Sequence, residues 1–406
     1  MTRLAILTSQ IGHYHDARYR GASEQIDDLV VIVGENEGGF AEFTVEASDG
    51  YSVERLFESS AAFMQGLAEG VLQERMDECL NRVRPDVIAI PGWSSPLSAA
   101  AIKWAHGQSV PLIVMSESQI DDADRSKVRE WTKKRIVSLC DAALVGGPPH
   151  ADYIKILGMA EDRIFLGYNA VGNSHFAKLA TEARSNAGAL RAEHNLPERY
   201  ILASARFIAK KNLPNLVRAF ARARSAVGGD SPDLVILGDG EERANIETAA
   251  RDAGVADHVH LPGYRGYDVL PIFYGLSEGF AHVSTVEQWG LVVNEGMAAG
   301  LPVTVSEPCG VGRTVVTDGE SGFIVEPTVE GIAEAIEKLF RMSDAERAAM
   351  GERAAAAIAD WGPERFGKNM ANAAQAALKH SRRRKLGLLD RIILDKLSER
   401  KIDAVS

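Results

Sequence analysis

The chain has 406 residues, 46% of them hydrophobic and 25% charged, with a formal net charge of -11. That length exceeds what one hydrophobic core usually serves, so two domains of comparable size are expected, and the acidic balance argues against a general nucleic-acid binder. No stretch approaches the roughly 20 apolar residues that cross a bilayer, which argues against an integral membrane protein.

The opening run, RLAILTS, stops at polar Thr8, Ser9 and Gln10 with no small-residue cleavage pattern behind it, so it reads as a buried strand rather than a signal peptide. DLVVIVG, PDVIAIPG, PLIVMSE, AALVGG and RIFLGY follow, separated by segments of helical period up to about residue 170. This alternation predicts a doubly wound parallel sheet. After the polar, helix-prone TEARSNAGALRAEHNLPER the rhythm restarts with YILASAR, DLVILGDG, HVHLPG, GFAHVS, LPVTVS and GFIVEP. The fold class is therefore α/β, with two Rossmann-like domains: residues 1–175, and 198–362 after a boundary between about 172 and 198. Ligands of such sheets bind at strand carboxyl ends, so the expected site is a central cleft between the domains. Cys79, Cys140 and Cys309 lack metal or redox spacing and read as buried small hydrophobes of a reducing, cytoplasmic protein.

The stretch VEQWGLVVNEGMAAGLPV holds two carboxylates eight positions apart, Glu287 and Glu295. Strand GFAHVS ends near Ser284, a loop runs to Gly290, and a helix follows, so Glu287 lies at a strand's carboxyl end and Glu295 about one turn into the helix. Amide groups of Gly290, Leu291 and Val292 at that helix start can seat a phosphate or a polar sugar edge, and Gly290 lets a ligand approach the backbone closely. Carboxylates beside such a seat suit hydroxyl groups, so the pattern asks for a sugar joined to a phosphate. Arg206, Lys210, Lys211 and Asn212, at the carboxyl end of the second domain's first strand, supply a clamp for a diphosphate leaving group. Alone, paired glutamates at a helix start read as a turn stabilised by the helix dipole; the cations shift the balance to function.

Taken together, Arg206-x4-Lys211-Asn212, the Gly238-Asp239-Gly240-Glu241 turn, Gly263 in HVHLPGYRGY, the Glu287-x7-Glu295 pair and GVGRTVVTDGESGFIVEP resemble family 4 of the retaining glycosyltransferases, which have the GT-B fold. The likeness covers residues 198 to 378 well. In the first domain it rests on Gly12 and on Tyr14-His15-x-x-Arg18. The resemblance implies that Arg206 and Lys211 bind the donor diphosphate, that Glu295 bonds the nucleotide ribose, and that Glu287 holds the transferred sugar beside the backbone of Trp289, Gly290 and Leu291. Tyr264 would lie near the base. It also implies transfer with retention, the leaving phosphate oxygen taking the acceptor's proton, with no metal and no cofactor beyond the nucleotide-sugar co-substrate. Where family members often carry a histidine facing the reacting sugar, this chain has Ser116, Glu117 and Ser118, and Glu117 is the candidate that orients donor or acceptor.

Gly12 is grouped with the donor site, and His13, Tyr14, His15, Arg18 and Trp93 with the acceptor. For Trp93 packing and acceptor-lining stand equal, and the His13-x-His15 spacing lacks a third metal ligand. His258 and His260 read as structural, and GDGEER lacks a dinucleotide fingerprint. The resemblance makes residues 363–380 a helix crossing back to the first domain. The tail 381–406 is basic: from His380 to Asp403 it holds eight Lys or Arg against four acids, with Leu386, Leu389, Ile393 and Leu397 at helical spacing. Two readings are open there, an anionic membrane surface met through 381–401 or docking on the chain's own domain or a second copy. The expected partners are a nucleotide-diphosphate sugar and a glycan or lipid-linked acceptor in cell-surface polysaccharide or lipopolysaccharide assembly, with no nucleic acid, at the inner face of the membrane. The alternatives are a glycoside hydrolase using Glu287 and Glu295, or an inactive sugar-nucleotide binding protein.

Overall fold

The computed structural model describes residues 2–34, 49–229, 231–381 and 385–399; of the basic segment 381–401, residues 382–384 and 400–401 lie outside them. The chain divides into two units, Met1–Ala170 with Trp361–Ser406, and Val171–Asp360.

The first unit holds seven strands: β1 (Arg3–Thr8), β2 (Asp28–Val33), β3 (Ser52–Arg55), β4 (Val87–Pro91), β5 (Leu112–Ser116), β6 (Ala142–Val145) and β7 (Ile164–Leu166). All pair in parallel in the order β3-β2-β1-β4-β5-β6-β7. Side chains alternate faces along each strand. On one face Ala5, Leu7, Val30 and Ile32 join a core with the helices Leu72–Val83 and Pro96–Gln108. On the other, Leu4, Ile6, Val31 and Val33 pack with Phe366, Met370, Ala373 and Ala377 of the helix Pro363–His380. Helices on both faces explain why these strands read as unbroken apolar runs. The edge strand β3, SVER, was not among the expected strands; its exposed Ser52 and Arg55 carry no such signal.

The second unit holds β8 (Tyr200–Ser204), β9 (Asp233–Leu237), β10 (Val259–Gly263), β11 (Phe280–His282), β12 (Val303–Ser306) and β13 (Gly322–Val325), again parallel, in the order β10-β9-β8-β11-β12-β13. The polar stretch from residue 173 forms two helices, Asn173–Ser185 and Ala187–His194, which belong to this unit. Phe176 is fully buried there, edge-on to Tyr267 and Tyr274. In each sheet the strand order reverses beside the first strand, at β1/β4 and at β8/β11, and such reversals open a crevice at the carboxyl ends.

The tail helix Leu388–Ser398 docks on the first unit. Leu394 is buried in its core with Leu386, Ile393 and Leu397 packed against it, and Asp390 is buried against Arg135 at 2.6 Å. The apolar face expected from Leu386, Leu389, Ile393 and Leu397 is thus corrected at one position. Asp390 takes the docked side to meet Arg135, and Leu389 turns out to solvent. No helix among the described residues is long and apolar enough to cross a membrane.

Candidate active site

In the second unit the loops after β8 and β11 meet at the reversal of strand order. Ala205 N–H donates to Leu237 O at 3.0 Å and Phe207 N–H to Asp239 O at 2.8 Å, tying the β8 loop to the GDG turn. Gly238 makes this possible: its φ is +122°, and a Cβ there would lie 1.9 Å from Ala205 O. Arg206 is exposed on this loop; its carbonyl accepts from the Ile208 N–H at 2.9 Å, while its side chain forms no hydrogen bond or ion pair among the described residues. The loop then makes a 3-10 turn, Ala209–Lys211, stopped by Asn212 at φ +59°. The buried Asn212 amide donates to Val283 O at 3.1 Å and Pro327 O at 2.9 Å, fixing this loop to the ends of β11 and β13. Thr285 N–H donates to Lys210 O at 2.9 Å, closing the link to the β11 loop.

These links bring Lys211 against Glu287, 76 positions on, as a partly buried ion pair. Three donors converge on Glu287 Oε2: Lys211 Nζ, His282 Nε2 at 2.9 Å and the Ser284 hydroxyl at 3.2 Å. Burial alone would raise the Glu287 carboxyl, but the His282 hydrogen bond and the Lys211 charge outweigh it and hold the group well below the usual carboxylate range. Burial pushes the His282 imidazole down against the opposing pull of Glu287. The arrangement is an ionised carboxylate gripped by an ammonium, a neutral imidazole and a hydroxyl. Burial, aided by the Glu287 charge, drives the neighbouring Cys309 thiol up to about 12, so it is unreactive.

Gly290 caps the helix Leu291–Ala298 at φ +94°, where a Cβ would lie 2.8 Å from Cys309 Sγ. The first amide groups of a helix lack intrahelical acceptors, so Leu291 and Val292 begin the donor-rich end. The Trp289 side chain is buried, its indole N–H donating to Asn294 Oδ1 at 2.9 Å; only its backbone can face a ligand. Glu295 is 0% exposed, and Tyr274 closes it off with a 2.7 Å bond from its hydroxyl. Tyr264 stands exposed just past β10.

The first unit's reversal point carries its own residues. Gly12 precedes the helix His13–Ser23, and His15 Nδ1 accepts from the Gly12 N–H at 3.3 Å. Burial, then the Arg18 charge, lowers the His15 imidazole to about 3, which keeps it a neutral acceptor. Arg18 is 3% exposed, donates to Tyr14 O and Tyr168 O at 3.1 Å each, and lies 5.0 Å from the Tyr168 ring centroid. The guanidinium is thus committed inside the unit. His13 and Tyr14 are half-buried on the same helix turn. Trp93, after β4, is buried edge-on to Tyr153, with Lys133 Nζ 5.8 Å from its ring. Glu117 is half-buried immediately after β5. Arg125 holds Asp122 in an ion pair, and His258 and His260 both bind Asp233, at 3.0 and 2.8 Å.

Sequence reading passed over His282, Ser284 and Tyr274. Two of them had a signal: 282 and 284 share one side of an extended segment, five and three positions before Glu287, and a histidine closing an apolar strand is unusual. Tyr274 lies on a separate helix, Leu270–Gly275, and had none.

Residues 189–357 match the family model described as glycosyl transferases group 1. The GDP-mannose-dependent alpha-(1-6)-phosphatidylinositol monomannoside mannosyltransferase of Mycobacterium tuberculosis is 34% identical over 172 residues, 40% of this chain and 43% of its own. The lipopolysaccharide core biosynthesis glycosyltransferase LpsE of Rhizobium meliloti is 34% identical over 140 residues, 34% of this chain and 38% of its own. The chain thus spans less than half the length of these two curated relatives. Among solved structures, HepE of Anabaena in complex with UDP and glucose has a TM-score of 0.67 at 15% identity, over 91% of this chain and 98% of that one. A glycosyltransferase of Rickettsia africae has a TM-score of 0.70 at 14% identity, over 94% and 99%. At such identity the likeness is one of fold: two parallel-sheet α/β domains of the GT-B class.

Proposed function

We propose that this chain is a group 1 glycosyltransferase of the GT-B class, which moves a sugar with retention from a nucleoside diphosphate-sugar to a hydroxyl of a glycan or lipid-linked acceptor. The observation that carries this reading is the pairing, at one strand-order reversal, of an unpartnered exposed Arg206 with the Lys211–Glu287–His282 cluster beside the glycine-capped helix start. The match over residues 189–357 supports it, as do the names of the two relatives. One of those relatives is named for GDP-mannose and a phosphatidylinositol mannoside, the other for lipopolysaccharide core. By that likeness the acceptor is a glycolipid or a lipid-linked glycan.

In the reaction the bond from C1 of the sugar to the diphosphate oxygen breaks and the acceptor oxygen bonds to C1 on the same face. The charge that develops on the diphosphate is taken by Arg206 and by Lys211, whose ammonium has three donors and can hold Glu287 and a phosphate oxygen together. The acceptor proton passes to the departing phosphate oxygen. Two cations at the leaving group do the electrostatic work that a divalent ion does in other transferases, which supports transfer without a metal. Glu287, anchored through Oε2, presents a fixed negative edge to sugar hydroxyls, and Glu295 serves the ribose once the Tyr274 contact yields. A hydrolase reading is disfavoured: Glu287 is held ionised, which unfits it as the general acid, and the reading leaves the cations Arg206 and Lys211 without a role.

The test is release of nucleoside diphosphate from a panel of nucleotide sugars, with and without a membrane glycolipid extract and with a chelator present. One donor is expected to be turned over, undiminished by the chelator, with kcat/KM about 10²–10³-fold lower in Lys211→Ala. Turnover of no donor, or full activity in Lys211→Ala and Arg206→Ala, would overturn the reading.

A further inference from the structure

The first unit concentrates exposed apolar side chains in one region. Six of the ten large hydrophobic residues exposed among the described residues are Ile120, Val128, Trp131, Leu388, Leu389 and Ile392. They sit on the loop after β5, on the helix Lys127–Val137, and on the tail helix Leu388–Ser398. The pieces are joined. Arg125 Nε donates to Ile120 O at 2.8 Å just before the first helix, and Arg135, one turn from Trp131, holds Asp390 in the first turn of the second. Both helices are held down by other faces. Ile136 and Val137 are buried, Lys133 points inward to Glu130 at 3.0 Å and to the Tyr153 hydroxyl at 2.9 Å, and Leu394 is in the core. The outward faces therefore cannot turn in: Val128 is 74% exposed, Trp131 48% and Leu388 78%.

Charge decides what covers this surface. Lys127, Arg129, Lys134, Lys385 and Arg391 are exposed around these apolar groups and form no ion pair among the described residues, on a chain whose net charge is -11. Tryptophan and leucine interleaved with unpaired Lys and Arg, on helices lying along a surface, suit the boundary between lipid headgroups and acyl chains. A like surface on a second copy would bring these cations together and repel. The patch begins at the carboxyl end of β5, beside Ser116 and Glu117, at the sheet edge where ligands of this fold bind.

We propose that the outward faces of Lys127–Val137 and Leu388–Ser398 form a docking surface for an anionic lipid bilayer, with Trp131, Leu388 and Leu389 at the acyl boundary and the basic residues at lipid phosphates. The surface differs from the amphipathic face read from the tail alone, which is spent on docking to the chain's own domain. The inference stands apart from the transferase reading, since membrane attachment can be measured without turnover.

The experiment is co-sedimentation of the full chain with vesicles of phosphatidylcholine, pure or with about one third phosphatidylglycerol. The wild type is expected to pellet with the anionic vesicles alone and to be released by high salt. Trp131→Glu with Leu388→Glu and Leu389→Glu is expected to stay in the supernatant. Lys127→Gln with Arg129→Gln and Lys134→Gln should bind roughly a hundredfold more weakly, at about 1 kcal/mol per charge removed. Circular dichroism and release of nucleotide from a soluble donor should be unchanged in both, which separates lost docking from lost folding. A wild type that ignores anionic vesicles, variants that pellet as it does, or a dimer in light scattering that the glutamate variant abolishes would overturn the proposal.

Discussion

Glu287 gathers three donors on one carboxylate oxygen, and the least expected of them is His282. Its imidazole lies at the end of β11, buried between Glu287, Ser284 and the Gly290 backbone, and its neutral form is the one that leaves Lys211 the sole positive partner. His282 touches no reacting atom in the proposed reaction; it positions Glu287. His282→Leu should therefore lower kcat/KM for the donor about ten- to a hundredfold, the value of a hydrogen bond to a charged group, and His282→Gln should restore part of it. Nucleoside diphosphate affinity, which the proposal assigns to Arg206 and Lys211, should stay within a few-fold; loss of nucleotide binding in His282→Gln would contradict a positioning role. None of this network was legible in the sequence beyond the two glutamates and the cations. The partners of Glu287 come from 76 positions away and from a strand residue that pattern reading treats as core, and the closure of Glu295 by Tyr274 depends on a helix packed from elsewhere.

Loops hold the proposed donor site by backbone fit. Gly238 lets the GDG turn lie against Ala205, so the Cβ of Gly238→Ala would collide with a carbonyl oxygen and push the Arg206 loop away. Strain at such a backbone position costs about 1–3 kcal/mol. The variant should melt lower and bind nucleoside diphosphate more weakly, and unchanged affinity would show that this loop does not set the site. In the first unit, His15 caps its own helix as a neutral acceptor, titrating near 3 when folded. The unfolded chain takes up that proton near 6.5, so the native state loses stability as pH falls from about 6.5 toward 3. In His15→Asn the fall in melting temperature between pH 7 and pH 5 should be smaller than in the wild type; an equal or larger fall would contradict a neutral cap. The strands of both sheets were readable because parallel strands covered on both faces become continuous apolar runs, as in DLVVIV and DLVIL. The polar edge strand SVER was not, since pairing with β2 and not its own pattern makes it a strand.

At the scale of the whole chain, two units each complete a parallel sheet with its own core, and the C-terminal residues from Trp361 on belong to the first. The tail helix is part of that core: Leu394→Ala should destabilise the first unit by about 2–5 kcal/mol, seen as faster hydrogen exchange in the helices Pro96–Gln108 and Lys127–Val137 with the second unit unchanged. Equal protection in both proteins would mean that the tail is dispensable. Its docking could not be read from its charge pattern, because the decisive partner, Arg135, lies 255 positions away from Asp390. The central claim is that the second unit binds a nucleotide sugar through Arg206, Lys211 and the Gly290 helix start, and thermal unfolding against a panel of nucleoside diphosphates tests it most directly. A ligand that binds only the native state stabilises it by about 2.7 kcal/mol at a hundred times its Kd. The account predicts that one nucleotide raises the melting temperature and that Lys211→Ala loses most of the shift; no shift from any nucleotide, or an equal shift in Lys211→Ala, would contradict it.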